Sequence, residues 1–196
     1  DGVYTWGDNS YGQLGNGTNN SSVTPIKLDI ALEDGESIID IKTGLGYCLA
    51  LTSIGNVYSW GKNSICQLGI GNKTNSNVPV KIPSLQNIKY IEAGYNQSFS
   101  ISHTDSVSGW GSGKTGQLAL SSLGSTSEPT EISSLTQMEI MHISGANGYT
   151  VMVDKEGNLY TVGSNESGGL GAYSDSAEFM DTNLVYDTSW LVDYMK

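Results

Sequence analysis

The chain has 196 residues, 15% of them charged, with 20 acidic against 9 basic side chains and a formal net charge of −11. With 37% hydrophobic residues it is too apolar and too weakly charged for a disordered chain, and its acidity disfavours nucleic acid and anionic lipid as partners, since both need clustered cations. All nine bases are lysine, so the bidentate guanidinium that grips phosphate or guanine is missing, and no apolar run reaches the roughly 18 residues of a membrane span.

The sequence opens at Asp1-Gly2-Val3-Tyr4 without an initiator Met or a signal-peptide pattern, already inside a strand-like pattern, so a fragment or a processed chain is expected. Trp6-Gly7 ends this first strand. Gln13-Leu14-Gly15 follows, then a polar loop over 16–22 and Pro25. An acidic loop over 29–36 comes next. Strands are predicted over 38–42, 47–51, 57–60 and 80–82, with a turn at Gly55-Asn56 and Pro79 beside the last. The pattern repeats over 88–91, 99–101, 107–110 and 130–132. It repeats again over 138–143, 150–153 and 159–162, after a turn at Gly157-Asn158. No stretch shows a sustained helical period.

Repetition is the main signal. Trp6-Gly7, Trp60-Gly61, Trp110-Gly111 and an eroded Val162-Gly163 are separated by 54, 50 and 52 residues. Gln13-Leu14-Gly15, Gln67-Leu68-Gly69, Gln117-Leu118-Ala119 and Gly169-Leu170-Gly171 keep the same register, as do Pro25, Pro79 and Pro129. Gly44, Gly94 and Gly145 fall between copies. Four short strands in a unit of about 50 residues make a propeller blade. The fold class is therefore all-β, with about four blade-like repeats in a partial or open propeller. The whole chain reads as a single repeat domain, with landmarks over 3–28, 38–82, 88–132 and 138–173. Residues 174–196 read as the worn end of the last repeat, and 190–195 as the first strand of a following one. Both ends look cut within a repeat, so pairing with further blades or with a second copy is expected.

The landmarks carry scaffold roles. Trp beside Gly at a strand end suits a ring wedged between blades and a backbone that turns at once. Gly44, Gly94 and Gly145 suit either a turn of positive φ or the close approach of another strand. The Gln amide of Gln-Leu-Gly is placed to hold loop backbone while the Leu packs inward.

Trp6-Gly7-Asp8-Asn9-Ser10-Tyr11-Gly12-Gln13-Leu14-Gly15 with Thr24-Pro25, and its later copies, resemble the regulator of chromosome condensation repeat. The resemblance covers the chain to about Tyr173 and implies a propeller commonly closed by seven blades, which at about 52 residues each would need about 360 residues. The family often carries a histidine three residues after the inter-strand glycine. Tyr47, Gln97 and Gly148 stand there instead, and the two histidines, His103 and His142, are expected at the surface.

Catalytic patterns are absent: there is no phosphate loop, no His-Glu-x-x-His helix and no Cys/His cluster at zinc spacing. Cys48 and Cys66 read as small, half-buried hydrophobes. No catalytic, cofactor or metal residue is assigned, and no cofactor is expected. The expected function is a non-catalytic protein-interaction scaffold, part of a larger protein, with polar loops over 16–22, 71–77 and 121–127 on one face. The longer first interval makes the acidic loop, with Glu33, Asp34 and Glu36, the candidate contact element. The resemblance leaves two alternatives: a guanine-nucleotide exchange factor for a Ran-like small GTPase, and a microbial surface or secreted repeat protein.

Overall fold

The computed structural model describes residues 2–171 and the backbone of residues 180–181. Val3–Gly7 (β1) and Ser22–Leu28 (β2) form a two-stranded sheet. Ile38–Thr43 (β3), Tyr47–Thr52 (β4), Val57–Gly61 (β5) and Ser76–Lys81 (β6) form a four-stranded sheet in that order. Ile88–Ala93 (β7), Gln97–Ser102 (β8), Val107–Gly111 (β9) and Thr126–Glu131 (β10) form the next. Ile140–Gly145 (β11), Tyr149–Asp154 (β12), Leu159–Gly163 (β13) and Met180–Asp181 (β14) form the last. All pairs are antiparallel between neighbours in sequence. The one helical element among the described residues is a 3-10 turn at Ser133–Leu135, and no helix there is long and apolar enough to cross a membrane. The expected strand at 190–195 lies outside the described residues.

The first three strands of each sheet match their predicted positions to within two residues. The fourth begins earlier, because β6 pairs Ser76 with Gly61 and Val80 with Ser59 across a register shift, and β10 does the same with β9. A bulge hides the alternation that would have marked this outer strand.

Apolar side chains gather between sheets rather than within them. One cluster joins the first sheet to the second through Leu28, Cys48, Ala50, Tyr58 and Trp60. The next runs from Leu49, Leu51 and Leu68 to Ile88, Ile91 and Trp110. The third spans Phe99, Ile101, Leu118, Ile143, Met152 and Val162. Each unit thus buries its face on its neighbour, as stacked repeats do. Both thiols are buried outright, Cys48 at 8% and Cys66 at 2% exposure, which corrects the half-buried expectation. Burial pushes the Cys48 thiol up to about 12.

The first strands of neighbouring sheets come close at their ends, and glycine lets them do so. A Cβ on Gly44 would stand 2.4 Å from the Gly94 carbonyl oxygen, and one on Gly94 would stand 2.8 Å from Gly145 Cα. None of the three has positive φ, so close approach is the reason for glycine here. The register needs one correction. The Gly44 and Gly94 N–H groups donate to the carbonyls of Tyr47 and Gln97, and in the next sheet Ala146 donates to Tyr149. Ala146, not Gly145, therefore occupies the Gly44/Gly94 place, and Tyr149, not Gly148, matches Tyr47 and Gln97.

Candidate interaction surface

Antiparallel order puts two kinds of connection on opposite edges. The turns after β3, β7 and β11 share one edge with the long loops after β1, β5, β9 and β13. The turns after β4, β8 and β12, and the links between sheets, share the other.

The loop edge rests on a repeated polar frame. Gln13 Oε1 accepts the N–H of Tyr11, Gln67 Oε1 that of Ile65 and Gln117 Oε1 that of Thr115, at 2.9, 3.0 and 2.9 Å. The adjoining leucines, Leu14, Leu68 and Leu118, are buried. The Gln main-chain carbonyl then reaches the following sheet. Trp60 Nε1 donates to Gln13 O at 2.9 Å and Trp110 Nε1 to Gln67 O at 3.0 Å. Each ring lies against a glycine of the preceding loop: a Cβ on Gly15 or Gly69 would meet the indole at 2.9 or 2.7 Å. Gly7, Gly61 and Gly111 turn the chain at φ of 105°, 99° and 88°. Trp6, on β1, is 60% exposed, whereas Trp60 and Trp110 are fully buried.

A second latch lies nearer the first strands. Tyr47 donates its hydroxyl to Gln97 O at 2.7 Å and Gly94 O at 3.2 Å. Gln97, in the equivalent place, donates Nε2 to Ala146 O at 2.6 Å and Tyr149 O at 3.2 Å. Two unlike side chains do one job, each binding the next sheet's inner turn.

Sequence reasoning missed the asparagine three residues after Trp6, Trp60 and Val162. Asn9 Oδ1 accepts the Leu14 N–H, and its Nδ2 donates to the Thr18 and Asn20 carbonyls. Asn63 does the same with Leu68, Asn72 and Thr74. Asn165 accepts from Leu170. The recurrence at Asn9, Asn63 and Asn165 was visible, but nothing in an isolated Asn reveals that it closes a loop. Gly113 takes the place in the third copy, where a Cβ would sit 2.2 Å from Gly124 O.

The acidic loop lies on the opposite edge. Burial works to raise the Glu36 carboxyl, but hydrogen bonds from the Thr52 hydroxyl, the Glu33 backbone N–H and the Asn56 amide outweigh it and hold it below its ordinary value. Glu36 Oε1 accepts Asn56 Nδ2 and Oε2 accepts the Glu33 N–H, both at 2.8 Å. Glu36 therefore ties the loop down. Glu33 is exposed and reaches Lys81 at 2.6 Å, and Asp34 is exposed. His103 and His142 are both exposed as well. Among the described residues no group of three or more His, Cys, Asp or Glu is placed to hold a metal ion.

Successive four-stranded antiparallel sheets, apolar between their faces and converging on glycine at their first strands, define an arc of β-propeller blades. The model of the regulator of chromosome condensation (RCC1) repeat matches residues 1–51, 55–101 and 105–153, and the chain belongs to this repeat family. It is 42% identical over 94 residues to the ultraviolet-B receptor UVR8 of Arabidopsis thaliana, a match covering 47% of this chain and 21% of that one. It is 36% identical over 197 residues to the probable E3 ubiquitin-protein ligase HERC6 of Homo sapiens, covering 97% of this chain and 19% of that one. The chain thus spans about a fifth of either relative's length. Yeast RCC1 (Prp20), in a crystal structure with Kap60, superposes with a TM-score of 0.77 over 89% of this chain and 40% of that one, at 22% identity.

Proposed function

We propose that the chain is a non-catalytic protein-interaction module within a longer protein, and that its loop edge carries the recognition. One observation supports this above others: identical backbone frames present different side chains. The N–H groups of Lys62, Ser112 and Ser164 donate to the carbonyls of Gly46, Asn96 and Gly148, each at 2.8 Å. Around that constant bond the exposed turn residue is Leu45, then Tyr95, then Asn147, and the neighbouring loop residue is Tyr11, then Ile65, then Thr115. A rigid scaffold with varied side chains on one edge is how repeat proteins read a partner. The coverage of UVR8 and HERC6 supports membership of a longer protein.

Photo-crosslinking tests the reading, with a benzophenone amino acid placed at Tyr95 on the loop edge or at Ser134 on the opposite one. A discrete protein adduct is expected from Tyr95; adducts from Ser134 alone, or from neither, reject it. Glu33 and Asp34 form a second contact element on the acidic edge in this proposal. Partner binding that survives Glu33→Ala with Asp34→Ala removes them. Glu36 stays out of that test because its loss would release the loop.

A further inference from the structure

We propose that the loop edge at the first two blade junctions docks an acidic protein segment carrying an aromatic or aliphatic anchor, seated on Tyr11, Leu45, Lys62 and Tyr95. This rests on the loop edge being the recognition surface and adds the chemistry of what binds there.

The four residues are brought together by backbone, not by chance exposure. The Leu45 N–H donates to the Tyr95 carbonyl at 3.2 Å, joining the turns of adjacent blades. The Lys62 N–H donates to Gly46, and the Lys62 ammonium lies 5.2 Å from the centre of the Tyr11 ring. A Cβ on Gly46 would stand 3.1 Å from that ring, so the turn and the ring are in contact. Tyr11, Leu45 and Tyr95 are nevertheless 39%, 41% and 41% exposed. At the third junction the corresponding places hold Thr115, Asn147 and Ser164, so these places are polar there. An exposed aromatic cluster on hydrogen-bonded turns offers contact area at little ordering cost.

Charge selects the occupant. Lys42, Lys81, Lys89 and Lys155 each pair with a carboxylate, on β3, β6, β7 and the turn after β12. Among the described residues, Lys62, Lys73 and Lys114, all on the loop edge, have no ion pair, and Lys27 on β2 is the only other such lysine. Asp8, the carboxylate in the first blade's equivalent of the Lys62 position, is held by the Ser10 hydroxyl and the Gln13 amide at 2.8 and 2.7 Å. A chain of net charge −11 thus keeps three of its four unpaired described lysines on one edge, where Tyr11 and Tyr95 are also exposed. The apolar half of the patch and the missing guanidinium groups favour a carboxylate-bearing protein over a phosphate backbone.

Fluorescence anisotropy on the intact chain tests this with a short labelled peptide of glutamate and tyrosine, a glutamate–serine peptide of equal charge, and a thymidine oligonucleotide. The tyrosine peptide is expected to bind, with affinity falling as salt rises. Lys62→Glu and Tyr95→Ser are each expected to weaken it about tenfold, as loss of a charge or an aromatic anchor does. Glu131→Lys, on the opposite edge, is expected to have no weakening effect. Lys62→Ser, which installs the side chain of Ser112 and Ser164, serves should Lys62→Glu unfold. No binding, equal binding of the serine peptide, or stronger binding of the oligonucleotide overturns the proposal. Binding insensitive to Lys62 and Tyr95 but lost on Lys73→Glu or Lys114→Glu overturns the patch and leaves the loop edge standing. Loss confined to substitutions on the acidic edge overturns both.

Discussion

The carbonyls of Gln13, Gln67 and Gln117 meet three different donors from the second strand of the next blade. Cys48 Sγ stands 3.5 Å from the first, Ser98 Oγ 2.9 Å from the second and Thr150 Oγ1 2.8 Å from the third. A thiol is the weakest donor of the three. Cys48→Ser is expected to raise stability by about 0.5–1 kcal/mol in urea unfolding; a loss would show that packing of the sulfur outweighs the bond. The same comparison of copies singles out Ala119, at φ 54° where Gly15, Gly69 and Gly171 have φ near 70°. Ala119→Gly is expected to stabilise by about 1 kcal/mol, since a Cβ is disfavoured in the left-handed region. A lower melting temperature would contradict it. Such residues were half legible: Trp60 and Gln67 announce themselves by repetition. Cys48, Ser98 and Thr150 share no chemistry that a sequence pattern would group, and only the common acceptor relates them.

At the scale of the loop, asparagine decides whether the element is closed. Asn63→Ala would remove two bonds to the Asn72 and Thr74 carbonyls and leave the buried Leu68 N–H without its acceptor. A loss of roughly 2–3 kcal/mol is expected, with faster amide exchange across residues 68–75; unchanged exchange there would show the loop to be held by other means. The third copy manages without the clamp because Gly113 lets the chain cross at Gly124. Strands were easier to read than this. Short apolar runs between turn signals exposed the inner three strands of each blade, while a bulge blurred the fourth. The Gly145 position misled by one residue, because a glycine neighbours the structurally equivalent Ala146 and spacing alone selects the glycine.

Across the whole molecule, the sequence's excess of acid is unevenly held. Burial raises the Asp154 carboxyl, but the Asn158 amide and N–H and the Tyr160 hydroxyl more than compensate, leaving it below the ordinary 3.8. Glu36 likewise lies below 4.5. For a depressed acid the stabilisation is present above the unfolded-state value and disappears as pH falls through the folded one. Stability is therefore expected to drop as pH falls below about 4, and Asp154→Asn is expected to flatten that drop while lowering stability at pH 7. An unchanged acid slope in the variant would show that Asp154 contributes nothing to it. Composition announced the net charge and the repeats announced the architecture. Neither could show that Lys62, Lys73 and Lys114 share one edge, because that depends on which way each strand runs.

The two buried indoles find their acceptor and their glycine seat in the loop of the preceding blade: Trp60 at Gln13 and Gly15, Trp110 at Gln67 and Gly69. The seat is always encoded upstream of its occupant. On a chain leaving the ribosome N-terminus first, the residues of each socket therefore emerge before the matching ring. The Tyr47 latch runs the other way, from its hydroxyl to the Gly94 and Gln97 carbonyls of the following blade, so that junction is fastened from both sides.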